Sequence, residues 1–392
     1  MKIIVIIEAS DSQPGVFFQG IELVEDLVKN AASTDVVEVV ITDDKSTSYL
    51  LDRGFTVHVL KFNILDRLVR LLSTTTIFPF IQKYLRVTTQ FERSLIKLGA
   101  NFLVFATQSS TPSVISKTIF VSQIHDIAFT QYPEFSESSN FGEARIRTRY
   151  LEIVSKASSL VITESLSLRR SVIEMFHLDS NRVIAIPHSV PKDFASFKLE
   201  RKVSKSKSTS AGNFYLYPAQ FWEHKNHRVV VRALKRLHES GHMYHVVFVG
   251  RDQGVLDSIK GLVNTLDLQD YVYFAGFQSR SELFDLYSSC IALVMTTYFG
   301  PTNVPPLEAW SLGVPVIYSD HLSENLGESV IRVDVDSVDS VAKGMQLALD
   351  GTTRSSKISA GHVMLESMQD VRATQIRVLL REMKKISDRV SF

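Results

Sequence analysis

The stretch YFGPTNVPPLEAWSLGVPVIYSD, residues 298–320, spells out a loop, a helix, a stop and a strand in that order. Asn303 can cap the helix, and Pro305 and Pro306 fall in its first turn, where a missing N–H costs least. Gly313 and Pro315 end it, and the apolar run 314–318 follows as a strand. Another β-rich run, 292–295, precedes the loop, so the stretch is a helical crossover between two short strands. Crossovers of that kind build parallel sheets covered by helices.

The same alternation extends outward in both directions. Upstream in the second half, strands are expected at 214–217, 245–249 and 272–274, each followed by a turn and a helical stretch. The first half repeats the pattern with strands at 3–7, 37–42, 56–60, 102–105, 119–124, 160–163 and 183–186. Between the halves, KLERKVSKSKSTSAG at 198–212 is rich in Ser and Lys and lacks apolar periodicity, which reads as a linker. The expected organisation is therefore α/β, with two Rossmann-like parallel-sheet domains at 1–197 and 213–370 facing a central cleft. A long helical pattern at 364–386 follows, and residues 371–392 are expected to pack back toward the first domain. Ligands of such sheets bind beyond the carboxyl ends of the strands.

Size and composition agree with two cores. The chain has 392 residues, more than one hydrophobic core usually serves, and its 45% hydrophobic and 22% charged fractions are those of a globular protein. A formal charge of +1 gives no general attraction to nucleic acid, which is not expected as a partner. Cys290 is the only cysteine, which rules out an intrachain disulfide and suits a reducing cytosol. The start, MKIIVIIEAS, continues as strand, turn and helix without a convincing cleavage site, so a cytoplasmic protein is expected. No run approaches the roughly 18 apolar residues that span a bilayer.

Two stretches carry the chemistry. Because the loop 300–303 follows a strand and opens a helix, its free amides would suit a diphosphate. Glu308, one turn into that helix, would repel phosphate but could accept two hydroxyl hydrogen bonds from a ribose; it would equally favour the helix dipole. In LYPAQFWEHKNHRVVVRAL, 216–234, a strand ends at Pro218 and an amphipathic helix is expected from about Lys225. The Lys225 ammonium would then neutralise a departing diphosphate at the mouth of the same sheet; a lysine at a helix start is also ordinary solvated surface.

Together these stretches resemble the GT-B glycosyltransferases, specifically the large retaining group called glycosyltransferase family 4 or group 1. The likeness covers the whole carboxyl-terminal domain. It implies that Lys225 in HKNH is the donor-site lysine and that Glu308 in PPLEAWSLGVPV holds the ribose. FVGRDQG at 248–254 and VYFAGFQSRSELFDLYSSC at 272–290 resemble the units between them, which implies that Gly250, Arg251 and Phe277 line the base pocket. In the first half, QIHDIAFTQYPEF at 123–135 resembles the family's histidine loop and implies His125 near the donor sugar. Gly15, in DSQPGVFFQGI, stands where the family brings backbone close to donor phosphate or acceptor. The stretch 161–191, with Thr163, Glu164 and His188, resembles the end of the family's acceptor domain and is assigned mainly structure.

Two positions depart from the family pattern. Gln220 stands where many members have arginine, and Gly300 where many have an acidic residue. The sugar and diphosphate would then lean on the segment Gly300, Pro301, Thr302, Asn303 and Val304, through the amides of the last three. The resemblance implies transfer with retention of configuration from a nucleotide-diphosphate sugar, without cofactor or bound metal, with His125, Lys225 and Glu308 at the catalytic centre. No pair of carboxylates suited to a glycoside hydrolase is evident. The acceptor would be a glycan or lipid-linked glycan, and YPAQFWEHKNH most resembles members that transfer mannose or related hexoses and deoxyhexoses in surface polysaccharide assembly. A sugar-nucleotide epimerase, a phosphorylase and a non-catalytic solute-binding protein remain alternatives on the same architecture. Residues 61–100 combine seven Lys or Arg and two Asp or Glu with interleaved Leu65, Leu68, Leu71, Phe78, Phe80 and Tyr84. Such a stretch can rest on the inner face of an anionic membrane, or be helices packed on a sheet.

Overall fold

Runs such as KIIVII are apolar on both faces, and a parallel sheet buried beneath helices needs that pattern. In the computed structural model, residues 1–8, 14–73, 75, 88–135, 141–191, 194, 197, 213–300 and 304–390 are described. Their strands form two all-parallel sheets, and contacts divide the chain into two units. The first unit comprises Met1–Pro133, Ser138–His188 and Asp370–Phe392, and the second Glu134–Glu137 and Ser189–Gln369.

The first sheet has seven strands in the order β3-β2-β1-β4-β5-β6-β7. These are β1 (Lys2–Ile7), β2 (Val36–Ile41), β3 (Val57–Val59), β4 (Phe102–Phe105), β5 (Phe120–Ile124), β6 (Leu160–Thr163) and β7 (Val183–Ala185). Ile3 pairs with Val37 on one side and Phe102 on the other, so β1 is central and the chain reverses direction of winding between β1 and β4. Helices α1 (Pro14–Asn30), α2 (Ile64–Leu72), α3 (Gln90–Lys97), α4 (Phe141–Ala157) and α5 (Leu166–Phe176) connect the strands. On α1, Phe17, Ile21, Val24 and Leu27 recur at helical spacing and are buried against the sheet.

The second sheet has six strands in the order β10-β9-β8-β11-β12-β13. They are β8 (Phe214–Pro218), β9 (His245–Val249), β10 (Val272–Phe274), β11 (Leu293–Met295), β12 (Val316–Ser319) and β13 (Val330–Val333). Their helices are α6 (His227–Glu239), α7 (Leu256–Thr265), α8 (Arg280–Ser289), α9 (Val304–Ser311), α10 (Val338–Leu347) and α11 (Gly351–Val390). Trp310 is fully buried, and a Cβ at Gly361 of α11 would lie 2.3 Å from its ring, so glycine lets helix and indole close up.

Several expectations need correction. The strand β13 was not anticipated. The terminal helix is longer than the 364–386 pattern, at Gly351–Val390. The helix expected from about Lys225 is α6, which starts at His227; a 3-10 turn, Glu223–Lys225, and Asn226 with a left-handed φ of 50° precede it. The 1–197 boundary also moves: the units divide after His188, because the Phe194 ring packs on Phe284 and Tyr287 of the second core. Phe135 likewise groups with the second unit, its ring 5.3 Å from that of Tyr298 and 5.4 Å from that of Phe299. The linker 198–212 lies outside the described residues. Among the described residues, no helix is long and apolar enough to cross a membrane.

Candidate functional site

In the second unit, the residues singled out from sequence gather beyond the carboxyl ends of β8, β9, β11 and the loop after β10. Gly250 follows β9, and a Cβ there would sit 2.2 Å from the Ala219 carbonyl oxygen, so the loop after β8 is admitted only by glycine. Gly250 therefore supplies space rather than a contact surface. Beside it, the Arg251 guanidinium lies 4.4 Å over the Phe277 ring, an exposed flat pair of the kind on which a base can stack. Gln220 is exposed, and its side-chain oxygen accepts from Trp222 Nε1 at 3.2 Å and Gln253 Nε2 at 3.0 Å.

Lys225 closes the 3-10 turn, half-buried, and its backbone carbonyl accepts from the Tyr217 hydroxyl. The following His227 ring is stacked between Tyr217 at 4.6 Å and Phe221 at 4.7 Å. Burial first, then the nearby Lys225 charge, pushes its pKa down to about 3, so it is a neutral structural ring. Near the same turn, the His224 ring stacks on Phe299 at 3.9 Å, and Tyr298 N donates to the His224 carbonyl at 2.8 Å. These contacts tie the loop after β8 to the loop after β11. Gly300 has a φ of 116°, which favours glycine. Pro301, Thr302 and Asn303 lie outside the described residues, and Val304 begins α9.

Glu308 is buried on α9, and its Oε1 accepts from Arg280 Nη1 at 2.7 Å. Arg280 opens α8, whose start is held by a capping box between Ser279 and Glu282. Its guanidinium also covers the Phe194 ring at 4.5 Å. The Tyr287 hydroxyl is held well above its usual range, by burial first and then by the Glu308 carboxylate. Sequence reasoning missed Arg280. The signal was present in QSRSEL, where Ser279 and Glu282 announce the helix start that aims this arginine.

The first unit has a pocket of about 360 Å³ at the carboxyl ends of β1, β4 and β5, lined by Glu8, Gln108, His125, Asp126 and Arg147 among others. This is the reversal point of its sheet, where doubly wound folds bind ligands. His125 follows β5, and its backbone N–H donates to Gln108 Oε1 at 2.7 Å. Its Nδ1 is hydrogen-bonded to Glu164 Oε1, and Glu164 Oε2 lies 2.9 Å from His188 Nε2. Glu164 and His188, assigned mainly structure from sequence, are thus joined to His125. Glu8 was also overlooked: it accepts from Ser109 and Thr111, and burial raises its pKa against the pull of those hydroxyls and Arg70. Gly15 sits exposed in the first turn of α1 with no neighbour within 4 Å of a Cβ, so packing does not demand glycine there.

Residues 199–360 match the family described as glycosyl transferases group 1. The architecture is GT-B. The chain is 29% identical over 228 residues to the O-antigen chain mannosyltransferase RfbU of Salmonella typhimurium, a match spanning 58% of this chain and 59% of that protein. In fold it is similar to Anabaena HepE, solved with UDP-glucose, at a TM-score of 0.68 and 15% identity over 98% of this chain and 99% of that one. A sucrose-phosphate synthase from Thermosynechococcus elongatus superimposes with a TM-score of 0.70 at 16% identity, covering 98% of this chain and 100% of the other. The residues matched to that family model include Lys225, Gly250, Arg251, Phe277, Gly300 and Glu308.

Proposed function

We propose that this GT-B protein is a retaining, metal-independent glycosyltransferase that moves a mannose-like hexose or deoxyhexose from a nucleotide-diphosphate sugar to a glycan in polysaccharide assembly. The observation that carries the reading is the ion pair of buried Glu308 with Arg280 on the helix that Val304 opens, inside the stretch matched by the group 1 family. A diphosphate is already a good leaving group, so its departure calls for positive charge rather than a protonating acid. Lys225 and the amides opening α9 would supply that charge. Glu308, with one oxygen engaged by Arg280, would accept ribose hydroxyls on its other lone pairs. Arg251 and Phe277 would carry the base. Retention would follow from attack by the acceptor on the face the diphosphate leaves.

The name of the Salmonella relative supports mannose. A lipid-linked acceptor presented at a membrane surface is supported by α2, where Ile64, Leu65 and Leu71 are 78%, 70% and 69% exposed. A thermal-shift panel of GDP-, UDP-, dTDP- and ADP-sugars, followed by product analysis with and without a glycan acceptor, tests the reading. One donor is expected to stabilise the protein in proportion to RT ln(1 + [L]/Kd), and new product should need the acceptor and survive a chelator. Donor conversion at the same rate without acceptor would point to an epimerase or phosphorylase. Stabilisation by a free sugar alone would point to a binding protein.

A further inference from the structure

We propose that Glu164 is a positioning residue that holds His125 as an imidazolium, with its Nε2–H presented to an oxygen of the sugar undergoing transfer. This rests on the transferase reading of the His125 loop. The geometry comes from three neighbouring strands: His125 follows β5, Glu164 follows β6, and His188 lies beyond β7. One carboxylate bridges two rings, Oε1 to His125 Nδ1 and Oε2 to His188 Nε2 at 2.9 Å. Glu164 and His188 are both buried, so the bridge is shielded from water along its length. Gln108 receives the backbone N–H groups of His125 and Asp126 at 2.7 and 3.0 Å, which fixes the loop carrying the ring.

With Nδ1 given to Glu164, His125 keeps Nε2, which is buried and has no hydrogen-bond partner among the described residues. The Ala106 backbone also favours the charged ring, but Nε2 has no partner at good hydrogen-bond geometry among the described residues. A buried N–H left without an acceptor is costly, and His125 lines the pocket at the sheet's reversal point, so a ligand oxygen would satisfy it. The charge state agrees. Burial disfavours the cation, but the Glu164 charge and hydrogen bond outweigh it and raise the His125 pKa. Burial likewise opposes ionised Glu164, and His188 and His125 overcome it, leaving the carboxyl far below its usual range. Asp126 reinforces the cation from the same loop; among the described residues, Glu8, Arg147, Tyr150 and His188 are the other titratable or charged groups facing this cluster.

The experiment pairs a spectroscopic titration with a pH profile. Ring ¹⁵N shifts of His125, assigned with His125→Gln, are followed in the wild type and in Glu164→Gln, alongside kcat/KM for both. In the wild type the ring is expected to stay protonated above the ordinary imidazole range, and Glu164→Gln should lower its midpoint. Near pH 8 that variant should lose about 10- to 100-fold in kcat/KM, the scale on which an outer partner of a functional imidazole acts. Much of the loss should return near pH 6, because a ring with a lowered pKa regains its proton only as pH falls. A neutral wild-type ring at pH 7, an unmoved midpoint in Glu164→Gln, or a loss of equal size at every pH would overturn the proposal. If the wild type transfers no sugar from any donor, the transferase reading fails, and the ring titration still decides whether Glu164 sets the charge of His125.

Discussion

Glu308 is almost wholly out of water, and Arg280 Nη1 lies 2.7 Å from its Oε1; a buried carboxylate is retained only with a cation and hydrogen bonds around it. Truncating it would strand the arginine, so Glu308→Gln is the cleaner substitution. That variant should fold and bind the nucleoside diphosphate about 10- to 100-fold more weakly, the worth of a charged hydrogen bond or two. Lys225→Ala should slow transfer by about 10² to 10³, the range for loss of one preorganised stabilising donor. Calorimetry and turnover assays read the two effects separately, and unchanged nucleotide affinity in Glu308→Gln would return that residue to a purely structural role. Both candidates stand out in the sequence because local signals surround them, a Pro-Pro helix start for one and an HKNH turn for the other. Arg280 and Glu164 do not, because an ion pair between residues 28 apart, or a carboxylate shared by two histidines from different strands, exists only after the sheet has aligned its ends.

Among the elements, α2 is the one whose surface has an unusual arrangement. Its capping box joins Asn63 and Asp66, and the buried Asp66 also accepts from Gln90 N at 2.8 Å, so the helix is anchored by its polar residues. The apolar ones face outward. Two of the basic residues expected to meet a membrane instead find partners in the protein, Arg70 with Thr111 and Lys61 with Asp44. Phe78, Phe80 and Tyr84 lie outside the described residues. Co-sedimentation with anionic vesicles at low salt should capture the wild type, and Leu65→Ser with Leu68→Ser should weaken capture about tenfold or more, given some 1.5–3 kcal/mol for each fully buried leucine. Absence of wild-type binding at low salt would remove the membrane contact. The other elements were largely readable from apolar runs bounded by turns. The edge strand β13, VIRV, escaped because four residues with an arginine at the third give too little period to separate from loop.

For the molecule as a whole, the informative fact is which segments share a core. Ile376, Leu379, Leu380 and Met383 of α11 are buried in the same cluster as Ile3, Val5 and Ile7 of β1. Deleting everything after Gln369 would remove these four side chains, at about 2–5 kcal/mol for each large apolar group lost, against a usual total stability of 5–15 kcal/mol. The truncated protein is expected to be insoluble or to melt far below the intact one; equal melting temperatures would refute that dependence. The two-sheet plan was visible from strand spacing, whereas the true division after His188 was not, since it depends on where the Phe194 ring packs rather than on composition.

The burial of α11 beside β1 also sets a timetable for synthesis. The last strand of the first sheet is complete by residue 185, yet the helix that covers part of its core is translated about 190 residues later, roughly 10–40 s at ordinary elongation rates. Throughout that interval the nascent chain carries an apolar furrow waiting for its own far end. Speed of translation and chaperone access to that furrow therefore bear on the yield of folded protein.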